Sequence, residues 1–293
     1  MVEASTAQTS SRRVPKADLA LIGREAQPVW FEYGPRDVAL YALSVGAGAR
    51  DISFIWDGAP NGMRVLPSFC LVAMNAVGPQ FNDLIHRYQK VEAGETIRIH
   101  RPLEPAGRLL IRARIEDVVD KGSFALLVTK IHGEDAEGGP VFEIDCSAAL
   151  LGSGGLGGLP ARTAAGERRP IAVGRLPDVE VSETIPETQA ALYQLNGVDD
   201  PLHVDPAFAR SRGFSRPILH GPCTFGYATR VLVQRLCGGD PSRLREIGAR
   251  FSSPVYPGDR LSVEAWTPKD GVASFQARTQ RGPVLTHGHA VLG

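Results

Sequence analysis

The chain repeats itself at one fixed distance, and this constrains its fold more than any other feature. Ala39-Leu40-Tyr41-Ala42-Leu43 matches Ala191-Leu192-Tyr193-Gln194-Leu195, and the run from Pro102 to Leu109 matches that from Pro254 to Leu261. Tyr41 to Tyr193 and Pro102 to Pro254 are the same offset, 152 positions. Leu66-Pro67-Ser68-Phe69 falls opposite Ile218-Leu219-His220-Gly221 in that frame. Distant matches in one register mark a duplicated unit. We read residues 1–27 as a loose tail and lead-in, 28–150 as the first copy, 151–179 as a linker and 180–293 as the second copy. The linker rests on Leu151-Gly152-Ser153-Gly154-Gly155-Leu156-Gly157-Gly158, a composition that favours flexible backbone over packing. No helix pattern follows these glycines, which argues against a phosphate-cradling loop.

Both copies order their elements alike. Helical spacing over 36–45 and 188–195 is followed by longer apolar helical segments over 66–76 and 224–236. Strand patterns come next, at 109–115, 124–128 and 141–144 in the first copy and 261–266, 273–279 and 285–291 in the second. Turns are expected at Lys121-Gly122, Asp270-Gly271 and Arg281-Gly282. Long helices segregated from runs of antiparallel strands predict an α+β class, not a wound βαβ sheet.

With 32 Lys+Arg against 32 Asp+Glu, the chain has no global field to gather nucleic acid or an anionic membrane surface, so neither is an expected partner. Its 43% hydrophobic content can fill two cores, yet no run of 18 apolar residues occurs. Cys70, Cys146, Cys223 and Cys237 form no C-x-x-C pair, so we expect reduced thiols and a cytoplasmic location. The N-terminal stretch lacks the apolar segment of a secretion signal, and the C-terminal Ala-Val-Leu-Gly differs from a Ser-Lys-Leu address. His287-x-His289 would place two imidazoles on one strand face, but no third ligand stands nearby in sequence. No metal and no cofactor is expected.

The segment Tyr193-Gln194-Leu195-Asn196-Gly197-Val198-Asp199-Asp200-Pro201-Leu202-His203-Val204-Asp205, with Gly213-Phe214-Ser215-Arg216-Pro217-Ile218-Leu219-His220-Gly221, resembles the MaoC-like, R-specific type-two enoyl-CoA hydratases. Tyr41 to Gly48, Gly152-Ser153-Gly154-Gly155 and Pro254-Val255-Tyr256-Pro257-Gly258 resemble the two-repeat members, so the likeness runs from about residue 28 to the C-terminus. It implies a double hot-dog fold, each central helix wrapped by a curved antiparallel sheet. It also implies an acyl-CoA or carrier-bound acyl thioester as substrate. Adding water to an enoyl thioester needs a base for the water, a proton for the α-carbon and donors for charge on the thioester oxygen. In the family one Asp and one His share the proton work, the Asp directly after a Gly and the His five positions later.

Here the His is His203, but Val198 holds the Asp position and Asp200 a position usually Asn. Asp200, then Asp199, are the candidates to replace the missing carboxylate. Around Trp56, relatives usually show Glu where Asp57 stands and Asp where Asn61 stands. These departures argue for altered chemistry. The readings are a hydratase/dehydratase-type lyase with His203 as acid/base, a repurposed biosynthetic lyase or cyclase that no longer adds water, and a silent acyl-binding or scaffold subunit. Gly221, before the second long helix, is the expected oxyanion donor and His220 is expected to line the site. Asp205 either orients His203 or caps the following helix. Tyr41 and Tyr193, equivalent in the repeat, are either paired site residues or core contacts. Arg210, Arg212 and Arg216 either meet carrier phosphates or form a solvated surface. The assembly state is left open, a homodimer included.

Overall fold

Alternating apolar residues build strands on both sides of the chain's midpoint. The computed structural model describes residues 14–157, 175–267 and 271–293; the rest of the tail, the linker from 158 to 174 and residues 268–270, with Asp270 of the expected turn, lie outside the described residues. The first copy holds β1 (Val29–Tyr33), α1 (Pro35–Ser44), α2 (Ile52–Ile55), α3 (Cys70–Met74), α4 (Gly78–Ile85), β2 (Lys90–Ile99), β3 (Gly107–Asp120), β4 (Phe124–Glu134) and β5 (Pro140–Leu151). The second holds β6 (Val179–Thr184), α5 (Gln189–Gln194), α6 (Pro206–Ser211), α7 (Gly221–Leu236), β7 (Leu244–Phe251), β8 (Arg260–Trp266), β9 (Val272–Thr279) and β10 (Gly282–Leu292).

Among the described residues ten strands form one antiparallel sheet in the order β1-β3-β4-β5-β2-β7-β10-β9-β8-β6. Read outward from the β2–β7 seam, the two halves use their strands in the same order. Ile97 faces Ile247 across that seam. Asn196 donates to the Ser44 hydroxyl at 2.9 Å, a contact between repeat-equivalent positions. The class is α+β.

The central helices differ between the copies. α7 runs unbroken for 16 residues and is buried on nearly all sides, as a helix enclosed by sheet must be. The helix expected over 66–76 is instead a 3-10 turn at Pro67–Phe69 followed by α3, which ends at Met74 before α4 begins at Gly78. Pro79 explains the break: it has no N–H for a continuing ladder and its ring crowds the carbonyl four residues back, at Asn75, whereas the first turn of α4 tolerates it. The lead-in also departs from a loose tail. Leu21 is buried, the Ala17 N–H donates to the Ser153 carbonyl at 2.9 Å, and Glu25 bridges to Arg114 on β3.

Candidate active site

A local irregularity in β2 shapes the site. Glu92 pairs with Ala148 and Gly94 with Ser147, so Ala93 is an extra residue, a β-bulge. In a regular strand residues three apart face opposite ways; the extra residue brings Glu92 and Glu95 onto the same helix-facing side. Glu95 is buried, and its Oε2 has no hydrogen-bond partner among the described residues. Burial, then the charge of Glu92, hold its carboxyl well above the ordinary carboxylate range. Glu92 is exposed although it lies on this inner face, and Cys146 and Ala148 beside it on β5 are half-buried. The protein packed around its carboxyl still costs it hydration and pushes Glu92 up to about 7, with Lys90 opposing and Asp200 adding.

The entrance of α7 forms the facing wall. Pro222 sits in its first turn, and His220 precedes it in extended backbone. The Leu219 N–H donates to the Val255 carbonyl at 2.7 Å, fixing the approach. A Cβ at Gly221 would lie 2.3 Å from Glu92 Oε2 and 3.3 Å from the Phe251 ring, so only glycine lets the carboxyl rest against this turn. The first N–H groups of a helix lack intrahelical acceptors and carry the positive end of its dipole.

His203 closes the cluster. Asp200 Oδ1 accepts from the Leu202 N–H at 2.9 Å and starts the 3-10 turn Pro201–His203. His203 Nδ1 lies 2.9 Å from the Ile218 carbonyl. A carbonyl only accepts, so Nδ1 carries the proton and Nε2 keeps its lone pair. Burial lowers the pKa of His203, while Ile218 and Asp200 oppose that shift. Its ring stacks on His220 with centroids 3.6 Å apart. His220 is buried, and neither ring nitrogen has a hydrogen-bond partner among the described residues. Burial and the neighbouring His203 push it down to about 2, so His220 stays neutral when His203 takes a proton.

Behind the imidazoles a column of rings continues into the first copy, with centroid spacings of 4.9 Å from His220 to Tyr193, 6.3 Å from Tyr193 to Tyr41 and 5.7 Å from Tyr41 to Phe69. Tyr41 and Tyr193 therefore pack on each other in the core, and Tyr193 also backs His220.

Val198 is half-buried and packs against the core. Asp199 is exposed. Of the two readings of Asp205, the structure shows the cap: its Oδ1 accepts from the Ala207 and Phe208 N–H groups, and His203 Nδ1 is held by Ile218. Asp57 and Asn61 are exposed after α2, and none of the hydrogen bonds or ring contacts of the His203 cluster involves them. Arg210, Arg212 and Arg216 are exposed; Arg212 lies over Phe208 and Arg216 pairs with Glu187 at 3.5 Å. A separate open cleft lined by Met63, Pro67, Leu103, Glu104 and Ser242 contains none of the clustered groups. Glu92 and Glu95 escaped the sequence reading. The available signal was two acids flanking Ala93-Gly94, a spacing that shares a face only across a bulge.

Glu95 makes stability depend on pH. A carboxyl whose folded pKa lies above its unfolded value of about 4.3 stabilises fully below that value, and the contribution is lost as pH rises towards the folded pKa. The neighbours that sense Glu95 are Glu92, Tyr41, Cys70, Cys146 and Tyr193, none of them basic. Glu95→Gln removes the proton linkage. Its stability relative to wild type should therefore grow by up to about 1.4 kcal/mol per pH unit above pH 5. Urea unfolding at pH 5 and pH 8 measures this, and an equal difference at both would refute it.

This duplicated helix-in-sheet architecture is the double hot-dog fold. The MaoC like domain model matches residues 169–286, and the MFE-2 hydratase 2 N-terminal domain model matches residues 31–152. The chain is 38% identical over 269 residues to 3-hydroxyacyl-thioester dehydratase Y of Mycobacterium tuberculosis, covering 87% of this chain and 89% of that protein. It is 33% identical to the probable enoyl-CoA hydratase 2 of Dictyostelium discoideum, covering 93% and 95%. The crystal structure of a MaoC-like dehydratase from Phytophthora capsici superposes with a TM-score of 0.81 at 27% identity, covering 94% of this chain and 98% of that one. The chain belongs to the MaoC-like hydratase and dehydratase family.

Proposed function

We propose that the protein interconverts 2-enoyl and 3-hydroxyacyl thioesters by adding or removing water, with an acyl-CoA as substrate. The observation that carries this reading is His203, whose Nδ1–H is held by Ile218 and whose Nε2, without a hydrogen-bond partner among the described residues, can act as a base beside the entrance of α7. In hydration, Nε2 takes a proton from water as its oxygen bonds to the β-carbon, and Asp200 favours the resulting imidazolium. The Gly221 N–H, at the positive end of α7, receives the charge that develops on the thioester oxygen. The relatives named as an enoyl-CoA hydratase and a 3-hydroxyacyl-thioester dehydratase support this reaction class.

No described helix is long and apolar enough to cross a membrane. A cytoplasmic location and a homodimer complete the reading. The direct assay is ultraviolet loss of the conjugated enoyl thioester. We expect the unmodified protein to consume trans-2-enoyl-CoA and release the 3-hydroxyacyl product; absence of turnover across short and long acyl chains would overturn the assignment.

A further inference from the structure

The site holds one imidazole able to cycle a proton, whereas water addition needs two proton transfers, one from water and one to the α-carbon. Val198 can do neither. Asp200 Oδ1 already accepts the Leu202 N–H. The carboxyl that reaches the helix entrance is Glu92, brought to the inner face by the bulge at Ala93 and resting against Gly221. Beside it, both nitrogens of the buried His220 are without a partner among the described residues, the mark of a polar wall completed by a ligand.

We propose that Glu92 is the second proton-transfer group of the reaction, supplying from β2 the carboxyl that position 198 lacks. The inference rests on the hydratase reading and adds a residue to it. The placement fits the substrate's own geometry. If the Gly221 N–H holds the thioester oxygen, the α-carbon is one bond from that carbonyl carbon, so its proton donor must lie beside Gly221, where Glu92 Oε2 lies. Hydration then balances. His203 Nε2 accepts a proton from water while the new C–O bond forms at the β-carbon. The π pair shifts to the α-carbon, which takes the Glu92 proton. The step leaves imidazolium at His203 and carboxylate at Glu92, and return of the proton from His203 to Glu92 resets the site. Dehydration runs the same steps backwards.

The protonation states suit these roles. Burial raises the pKa of Glu92 and lowers that of His203, favouring a protonated acid beside a neutral base near neutral pH. Besides Asp200, the titratable groups that sense Glu92 are Lys90 and Glu95 on β2, Cys146 on β5 and Tyr193 on α5.

The test compares wild type, Glu92→Gln and the double variant Glu92→Gln with Val198→Asp, by steady-state hydration of trans-2-enoyl-CoA alongside thermal melts. We expect Glu92→Gln to lower kcat by at least about 100-fold with KM changed only a few-fold and melting retained. Adding Val198→Asp should restore at least about tenfold of that loss by returning a carboxyl to the family position. A Glu92→Gln enzyme within a few-fold of wild type, a loss confined to KM, or no recovery in the double variant overturns the role of Glu92 while leaving the hydratase reading intact. Wild type without activity removes that reading, and this inference with it.

Discussion

Replacing His203 with alanine will lower turnover of a trans-2-enoyl thioester by at least about 100-fold, the lower range for loss of a positioned acid/base. The loss should appear in kcat, because the imidazole's proton transfer contributes in the transition state and not to ground-state binding. Two features make it replaceable by no neighbour. His220, stacked on it at 3.6 Å, is pushed down to about 2 and so is a poor base at any working pH. Asp200 spends one carboxyl oxygen on the Leu202 N–H. Folding should change little, since His203 is half-buried and its imidazole makes one hydrogen bond among the described residues, to Ile218, worth about 1 kcal/mol. Burial lowers the pKa of His203, so its base form persists below pH 6.5 and the acid limb of wild-type kcat/KM for hydration should lie below that pH, while loss of the Glu92 proton sets the alkaline limb. Activity of His203→Ala within a few-fold of wild type would remove the residue from the mechanism.

The repeat register placed Tyr41 against Tyr193 and led to a sheet whose halves use their strands in one order. The motif led to His203, His220 and Gly221, which meet at the entrance of α7. What stayed hidden depends on contacts between segments far apart in sequence. β2 reads Lys-Val-Glu-Ala-Gly-Glu-Thr-Ile-Arg-Ile, with charged residues at both faces and a bulge that shifts the alternation, so no single period marks it as a strand. Its inner face becomes evident only when β5 and β7 pair on either side. Asp205 shows the opposite limit. A cap and a histidine partner look alike in sequence, and the outcome was decided by a carbonyl thirteen residues further on, at Ile218. The helix expected over 66–76 stops at Met74 because apolar content does not reveal where the backbone ladder ends, which Pro79 decides by lacking an N–H.

Arg230 is the second place where a pattern of apolar residues concealed a polar requirement, and Arg230→Met should cost about 3–5 kcal/mol of stability. The guanidinium, 2% exposed on α7, bonds to Glu183 of β6 and lies 4.0 Å from Asp51, while its Nε donates to the Val45 carbonyl at 2.9 Å. It therefore joins the central helix of the second copy to the turn after α1 in the first. That turn leaves no room for adjustment: Gly46 has φ 82°, and a Cβ there would lie 2.3 Å from the Tyr227 ring and 3.0 Å from the Arg230 guanidinium. Methionine fills the volume but strands two carboxylates. Asp51 keeps hydrogen bonds from Gln234 and the Gly48 N–H, so the greater penalty falls on Glu183. Adding Glu183→Gln to Arg230→Met should accordingly recover part of the loss, a sign opposite to that of two independent destabilising changes. Urea unfolding of the two single variants and the double variant reads this directly. A loss below about 1 kcal/mol in Arg230→Met, the scale of an exposed ion pair, would show that this guanidinium does not hold the copies together.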